Sequence, residues 1–518
     1  MWPIIHKMYR NRILGKISPT ILVCVFLLGA GGLIATTNNA GRIIPPFQIF
    51  RDTNGAFATL NLSGPTDTTT NPFFQDLGSN GRRCVTCHQP SDAWSVTPLH
   101  IQERFAASNG MDPIFRPVDG ATCPTMEVST PEARREAYSL LLSRGLIRIG
   151  ISVPANADYE VVGVYNPYGC NATDVISMYR RPLPTTNLRF LSTVMFDGRE
   201  SSPATGTTKI VYSNYPSSLL SDLAHQSVDA TVGHAQGDGT RPTPEEQQQI
   251  VDFETKLFTA QVHDRLAGNL YSDGAKDGPA QLSMQPFFIS LNSSVHFLLP
   301  AFEPPGGLVT PGDGQFTSNI FNLYDKWGHI NDGDRSDARN SISRGEQLFN
   351  TLQIPISDVA GINDDVATGG LVAGGIKTLQ GTCGTCHDTP NVGNHSFPTP
   401  LNIGTGDPSP TNRSINLGGL DVSYLPEITV CRKDASTGVA TDDCKTTTDL
   451  GQALIDGRFD HVGKIKGPIL RGLAGRAPYF HNGSATTLMD VVNFYDTRFN
   501  LHLSDKDKND LSDFLGAL

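Results

Sequence analysis

The sequence predicts a mainly α-helical protein. Helix signals stand at residues 130–145, at residues 243–258 and from Ser504 to the C-terminus. No convincing run of alternating apolar and polar residues, the pattern of a half-buried strand, occurs beside them. A chain of 518 residues is long enough for more than one hydrophobic core, at roughly 100 to 200 residues for each domain. We therefore expect helices arranged in more than one domain.

Each predicted helix has a recognisable start. Thr130 is a typical N-cap before Pro131 in the first turn, and Gly145 is a typical stop. Thr243 and Glu246 form a capping-box pattern at the start of the second helix. The terminal helix has one apolar stripe, formed by Leu511, Phe514, Leu515 and Leu518.

The connections between these helices are long. The chain has 51 glycines and 35 prolines, and a Pro/Gly-rich connector at 300–314 precedes a new helical pattern near Ser341. We therefore predict an N-terminal domain over residues 38–335, with insertions, and a C-terminal domain over 336–518. Small and polar residues at 358–375 predict a surface loop inside the second domain.

The first 37 residues resemble an export segment. Four basic residues and no acidic residue precede the apolar run Ile21–Ala35. This run is short for a membrane span, which needs roughly 20 residues, and no clear cleavage site follows it. A cleaved signal peptide and a retained N-terminal membrane anchor therefore both stay open. The net charge of −11 argues against nucleic acid as a partner.

The motif Cys-x-x-Cys-His occurs twice. Two thiols at this spacing can form thioethers to the vinyl groups of a porphyrin, and the adjacent imidazole can bind the iron. A zinc knuckle or a redox dithiol would explain one isolated Cys-x-x-Cys, but two complete copies favour two covalent haem c groups. The attachment residues are Cys84, Cys87, Cys383 and Cys386, and the axial ligands are His88 and His387.

Five other cysteines remain. Cys24 lies in the export segment, and the other four can form two disulfides in an oxidising compartment. Cys431 and Cys444 enclose a polar loop that suits a disulfide between them. The four candidates, whose pairing the sequence leaves open, are Cys123, Cys170, Cys431 and Cys444.

A tyrosine near the C-terminus is a further candidate ligand. Leu488, Val491, Val492 and Tyr495 are spaced so that they share one face of a helix. This face is expected to point into the core that holds the haem of His387. A tyrosine on an apolar stripe can also serve packing alone, with its hydroxyl group satisfied elsewhere, and the pattern leaves both possibilities open.

Three further blocks, 195–199 (Met-Phe-Asp-Gly-Arg), 344–349 (Arg-Gly-Glu-Gln-Leu-Phe) and 477–483 (Ala-Pro-Tyr-Phe-His-Asn-Gly), accompany the two haem motifs. Their order resembles the bacterial di-haem cytochrome c peroxidase family, which includes MauG, from about Asn71 onward. The resemblance implies two cytochrome c-like helical domains with their haems near a shared interface. It also implies an N-terminal haem that reacts with peroxide and a C-terminal haem that transfers electrons.

The resemblance also suggests ligands. The residue that matches the distal ligand of the C-terminal haem is Tyr495, as in the Tyr-ligated branch of the family. His100 resembles the loop histidine that serves as a displaceable sixth ligand of the first iron in this family. An ordinary solvated loop histidine is the other possibility, and both stay open. One calcium ion between the domains is implied too. Its matching candidates are Asn187, Arg476 and Pro478.

Two departures from the family concern its chemistry. Phe196 stands where the family has a tryptophan between the haems, and phenylalanine is much harder to oxidise. Gln226 and Gln236 match the Gln and Glu of the family's peroxide pocket, but an amide cannot exchange a proton at working pH. His225 or His234 is therefore a candidate for the catalytic acid–base role.

The expected function is that of an oxidoreductase. The resemblance implies a cytochrome c peroxidase-like enzyme that reduces hydrogen peroxide with electrons from a small cytochrome c or cupredoxin. It would be periplasmic, either soluble after signal cleavage or tethered to the inner membrane. Two alternatives stay open: a MauG-like oxidase of a protein or organic substrate, and a di-haem electron-transfer cytochrome without peroxidase activity.

Overall fold

The computed structural model describes residues 43–201, 210, 215–216, 218–287, 319–330, 333, 335–364, 375–396, 400–407 and 420–518. The predicted export segment with Cys24, the connector 300–314 and most of the predicted loop 358–375 lie outside these residues. Within them, no helix has both the length and the apolar character that crossing a membrane requires.

The prediction of a mainly α-helical fold is wrong, because the described residues also form five antiparallel sheets. One reason is that some strands are buried on both faces, so their sequence does not alternate. The strand Leu257–Asp264 is buried at its first six residues, and Val175–Arg180 is buried at all but the first. Leu257 and Phe258 were expected to end a helix, but they begin a strand.

The largest sheet has four strands in the order Phe47–Arg51, Gly55–Asn61, Leu257–Asp264 and Gly268–Asn269. A three-stranded sheet has Glu427–Lys433 in its middle, between Tyr159–Tyr165 and Ala440–Thr447. Three further pairs complete the sheets: Ile43–Ile44 with Thr66–Asp67, Ile147–Ser152 with Val175–Arg180, and Ile354–Ser357 with Thr378–Gly381.

The predicted helix starts are present. The Thr130 side chain accepts a hydrogen bond from the Ala133 N–H, although the segment after it forms two short helices. Thr243 and Glu246 form the expected capping box. The α-helices among the described residues are Cys84–Cys87, Pro98–Ser108, Pro131–Ala137, Ser139–Arg144, Leu219–Gly233, Pro244–Glu254, Pro279–Ser283, Ser336–Thr351, Ala453–Asp456, Leu488–Phe499 and Asp505–Gly516.

The Arg-Gly-Glu block at 344–346 joins two helices closely. A Cβ atom on Gly345 would overlap the Asp510 carbonyl group and lie 2.6 Å from the Phe514 Cβ, so only glycine allows this approach. Arg344 pairs with the Asp510 carboxylate on the same facing helix. The Glu346 carboxylate accepts hydrogen bonds from backbone N–H groups at 323 and 324. Three adjacent residues thus fix Ser336–Thr351 against its neighbours.

Two disulfides are present, Cys123 with Cys170 and the expected Cys431 with Cys444. Cys431 and Cys444 lie directly opposite each other on the neighbouring strands Glu427–Lys433 and Ala440–Thr447. The domain limits 38–335 and 336–518 stay predictions.

Candidate haem sites

Two cavities lie beside the two Cys-x-x-Cys-His motifs. We name them the N-terminal cavity, about 170 Å³ in volume, and the C-terminal cavity, about 210 Å³. The N-terminal cavity is lined by Cys84, Cys87 and His88, and the C-terminal cavity by Cys383, Cys386 and His387. None of these four cysteines takes part in a disulfide. The structure therefore places all six motif residues at cavity walls.

Both motif histidines are held in the state that iron binds. His88 Nδ1 lies 3.2 Å from the Trp94 carbonyl oxygen, and His387 Nδ1 lies 2.7 Å from the Gly393 carbonyl oxygen. A carbonyl only accepts hydrogen bonds, so Nδ1 carries the proton and Nε2 keeps its lone pair. Burial lowers the pKa of each imidazole to about 4, so both rings are neutral near pH 7.

The remaining walls are largely apolar. The N-terminal cavity is lined by Leu188, Leu191, Val194, Leu223 and Ile469 among others, and the C-terminal cavity by a similar set of aliphatic and aromatic side chains. A porphyrin is a flat apolar ring that such surfaces can enclose. Two free thiols, a neutral imidazole and an apolar wall in each cavity fit one covalent haem c apiece.

One layer of residues separates the two cavities. Phe196 lines both of them, at the position where the family resemblance implied an aromatic residue between the haems. The other members of this shared wall are Arg181, Pro182, Leu183, Pro184 and Lys466. Groups bound in the two cavities would therefore be neighbours.

Tyr495 lines the C-terminal cavity from the helix Leu488–Phe499. Its ring stacks on Phe499, with 6.2 Å between ring centroids, and meets Phe494 edge-on. Its hydroxyl group has no hydrogen-bond partner among the residues that the structure describes. A side chain that lines the cavity and keeps its hydroxyl group free of protein hydrogen bonds can act as a ligand there. Pro478, one of the predicted calcium candidates, lines the same cavity.

Of the four predicted catalytic residues, Gln226 and His234 line the N-terminal cavity. Gln226 comes from the helix Leu219–Gly233, and His234 follows that helix directly. His234 Nδ1 lies 2.5 Å from the Asp119 carboxylate, which is buried and also pairs with Arg82. Burial alone would raise the pKa of Asp119, but Arg82 and His234 lower it below its ordinary value. Asp119 thus stays charged and orients the imidazole.

The other two catalytic candidates, His225 and Gln236, and the predicted iron ligand His100 lie outside both cavities. Consecutive helical residues point about 100° apart, so His225 points away from the cavity that Gln226 faces. Its Nδ1 atom lies 3.0 Å from a Glu200 carboxylate oxygen. Gln236 lies beyond the helix end and accepts a hydrogen bond from Asn80. His100 pairs with the buried Asp92 in place of facing the first motif.

Two of the three residues predicted for calcium, Asn187 and Arg476, have their oxygen atoms engaged by protein groups. The Asn187 amide group exchanges two hydrogen bonds with the Thr259 backbone, at 2.9 and 3.0 Å. The Arg181 guanidinium group donates to the carbonyl oxygens of Arg476 at 3.0 Å and Ala477 at 3.4 Å. A positive charge of the protein itself therefore lies at the Arg476 carbonyl oxygen, which the prediction assigned to calcium. Calcium stays a prediction that these contacts do not support.

Two charged residues in the cavities were missed by sequence reasoning. Glu254 is 4% exposed, lines the N-terminal cavity and has no ion pair or hydrogen bond through its side chain in the described part of the chain. Burial raises the pKa of Glu254 to about 8. Its position four residues after Ile250, on the apolar face of the helix, was the available signal. Lys466 had no such signal, because it lies in an irregular segment.

Comparison with known proteins gave matches among solved structures only. No protein-family model and no curated protein matches the chain. A MauG-like protein associated with microbial copper homeostasis matches at 13% identity and a TM-score of 0.31, over 86% of each chain. Hydrazine synthase of Kuenenia stuttgartiensis matches at 13% identity and a TM-score of 0.27, over 82% of this chain and 93% of that one.

A variant of the diheme peroxidase BthA of Burkholderia thailandensis matches at 15% identity and a TM-score of 0.27, over 91% of this chain and 94% of that one. The MauG-like protein and the diheme peroxidase are of the kind that the sequence motifs resemble, in agreement with that resemblance. TM-scores this low transfer neither a fold nor a residue's role, so the site rests on its own geometry.

Proposed function

We propose that the protein is a di-haem c-type oxidoreductase that reduces hydrogen peroxide at the N-terminal cavity. The observation that carries this proposal is the difference between the two cavities. The C-terminal cavity would offer a bound haem the Tyr495 hydroxyl, which has no partner among the described residues, whereas the N-terminal cavity offers Gln226, His234 and Glu254. All three side chains can bind a small polar substrate, and His234 and Glu254 can also exchange protons with it.

When bound, a haem would supply one-electron redox chemistry in each cavity, held by the two cysteines and the histidine of its motif. The reduction of peroxide to water also consumes protons, which must come from side chains that hold them near pH 7. The Glu254 carboxyl group is protonated below its pKa of about 8. His234, oriented by Asp119, can exchange a proton at its Nε2 atom. The Gln226 amide can position the substrate but not protonate it.

The electrons would enter through the C-terminal site and cross the shared wall. Because this wall is one residue thick at Phe196, two bound haems would lie close enough for electron transfer without an oxidisable side chain between them. The donor would be a small redox protein, such as a cytochrome c or a cupredoxin, in the periplasm.

The test uses the purified full chain. Its covalent haem content is first measured by haem staining and mass, with two haems expected. Peroxide consumption is then followed with reduced cytochrome c as the donor. We expect turnover well above that of free haem, a lower rate for Glu254→Gln, and little change for Glu132→Gln on the surface. Turnover no better than free haem would contradict the proposal.

A second candidate is a MauG-like oxidase of a protein or organic substrate. It is favoured by Tyr495, whose free hydroxyl matches the Tyr-ligated branch of the family. The third alternative, an electron carrier without peroxide chemistry, requires both irons to be six-coordinate. Cyanide binding to one haem, together with a high-spin ferric signal in the EPR spectrum, would exclude the carrier. Substrate oxidation without cytochrome c turnover would favour the oxidase.

A further inference from the structure

Lys466 is a buried cation in the wall between the two cavities. It is 2% exposed and lines both cavities. In the described part of the chain, its ammonium group has neither a hydrogen bond nor an ion pair. The charged group that affects it is Arg476, which is another cation. The described residues therefore supply no negative charge to Lys466.

The neighbouring Lys464 illustrates the usual situation of a buried lysine, which is an ion pair with a carboxylate. Lys464 is fully buried, and its Nζ atom lies 3.1 Å from an Asp364 carboxylate oxygen. Burying a charge without a partner is costly, so buried ammonium groups are almost always paired. Lys466, two residues further along, lacks such a carboxylate. Among the described residues Lys466 has no counter-charge, and this contrast points to a bound group as its source.

The backbone holds Lys466 in this position. Its N–H donates to the Phe196 carbonyl oxygen at 2.8 Å, and Ile465 exchanges backbone hydrogen bonds with Leu401. Arg181, the other cation of the wall, donates to four backbone carbonyl oxygens. Arg476, which lines the C-terminal cavity alone, donates to the Ile469 carbonyl. Of the two cations that line both cavities, Lys466 is thus the one whose charged group makes no hydrogen bond or ion pair with the described residues.

We propose that the Lys466 ammonium group binds propionate carboxylates of the haems in the two cavities and acts as their shared counter-ion. This inference rests on the proposed di-haem function. A haem c keeps both propionates after its vinyl groups have reacted with the cysteines, so each cavity would bring the negative charge that Lys466 lacks. The ligand class is a carboxylate, and its position between the cavities lets one side chain serve both.

The consequence is electrostatic. A positive charge near an iron favours its reduced state, so removing that charge lowers the midpoint potential. We expect Lys466→Gln and Lys466→Met to lower the equilibrium constant for reduction at least tenfold at one or both haems. For a one-electron couple this is about 59 mV. Lys466→Arg keeps the charge and should keep both potentials near those of the wild type.

The experiment measures both midpoint potentials by spectroelectrochemistry on protein with two haems confirmed by mass. The control is Lys445→Gln, which removes a positive charge that does not line either cavity. A chain without haem would overturn the proposed function, whereas two haems with unchanged potentials in Lys466→Gln and Lys466→Met would overturn this inference alone. If the neutral variants do not fold, the propionate bending bands in resonance Raman spectra of the wild type are compared with those of Lys466→Arg. A shift of these bands would support the contact between Lys466 and the propionates. Identical bands would contradict the contact.

A free carboxylate could supply the same chemistry as a propionate. Titration of the wild type with formate separates these sources. Potentials that do not respond to formate support propionate binding. Potentials that fall with formate by the amount seen in Lys466→Gln would overturn the inference, because the lysine would then be open to exogenous anions.

Discussion

At the scale of single residues, both cavities are lined by polar side chains that have no partner in the described part of the chain. Tyr495, Glu254 and Lys466 each place a hydrogen-bonding or charged group at an apolar cavity wall. Such groups destabilise a protein unless something else satisfies them. Each of them is therefore a place where a change should alter a property of the bound cofactor or the response to pH.

Replacing Tyr495 with Phe should change the low-spin spectrum of one haem, because the substitution removes the hydroxyl that can ligate the iron of His387. The matched control is Tyr479→Phe. Tyr479 lines the same cavity, but its hydroxyl donates to the Leu473 carbonyl at 3.2 Å. The absorption and EPR spectra of both variants are compared with the wild type. A spectrum unaltered by Tyr495→Phe would remove this ligand.

Glu254→Gln should flatten the dependence of stability on pH between about 4.5 and 8. The pKa of Glu254 is raised from 4.5 to about 8 in the folded protein, so the folded state keeps a proton that the unfolded state releases. Its contribution is therefore fully present below pH 4.5 and is lost as the pH rises toward 8, on the order of 1 kcal/mol per pH unit.

Denaturant unfolding at several pH values measures this effect. The control is Glu132→Gln, an exposed residue in the first turn of a short helix. An unchanged slope in Glu254→Gln, relative to the wild type and the control, would show that the carboxyl is ionised in the folded protein.

The sequence predicted the residues whose chemistry is encoded locally. The Cys-x-x-Cys-His motifs and the helical spacing of Tyr495 are short patterns, and the structure places them at cavities. The sequence did not distinguish His225 from His234 as the acid–base candidate. In the structure only His234 of these two lines the N-terminal cavity. The role of Lys466 could not be predicted from the sequence. It depends on the lack of a described carboxylate near its ammonium group, which only the folded structure reveals.

At the scale of elements, Gly345 sets the distance between two helices. Gly345→Ala should destabilise the protein by about 1 to 3 kcal/mol, since the new Cβ would overlap the Asp510 carbonyl and force the helices apart. The control is Gly233→Ala at the end of another helix, where a Cβ meets nothing within 4 Å. Urea unfolding measures both. Equal stabilities of the two variants would contradict the close packing.

Helix starts were predictable and strands were not. A capping box such as that of Thr243 and Glu246 acts within four residues, so the sequence alone reveals it. The strand Leu257–Asp264 directly follows a helix and is covered on both faces, so its apolar residues continue the helical stripe in the sequence. Its identity as a strand depends on its pairing with Gly55–Asn61, far away in the chain.

At the scale of the whole molecule, the volumes of the two cavities lead us to expect that bound haems would raise the free energy of unfolding. Unfilled volumes of 170 and 210 Å³ would cost about 4 and 5 kcal/mol, at roughly 24 cal/mol per Å³. The double variant Cys84→Ala, Cys87→Ala should therefore be less stable than the wild type by a few kcal/mol. Haem content and denaturant unfolding are measured together.

A double variant that lacks the first haem but unfolds at the same denaturant concentration would contradict this dependence. The second haem, counted by mass, serves as the internal control for correct maturation.

Buried ion pairs join distant parts of the chain. Arg180 donates two hydrogen bonds of 2.7 Å to Asp449 and one of 2.5 Å to Asp197. Burial would raise the pKa of Asp197, but Arg199 and Arg180 lower it to about 2, so the network stays charged. The family block that contains Asp197 is thus tied to the C-terminal half of the chain.

The three-stranded sheet has a consequence for how the chain is made. The strand Tyr159–Tyr165 pairs along one edge with Glu427–Lys433, which leaves the ribosome much later. At roughly 5 to 20 residues per second, this partner arrives some 15 to 50 seconds after the first strand. During that interval the first strand presents an unsatisfied edge, so nascent chains are open to wrong association until synthesis is nearly complete.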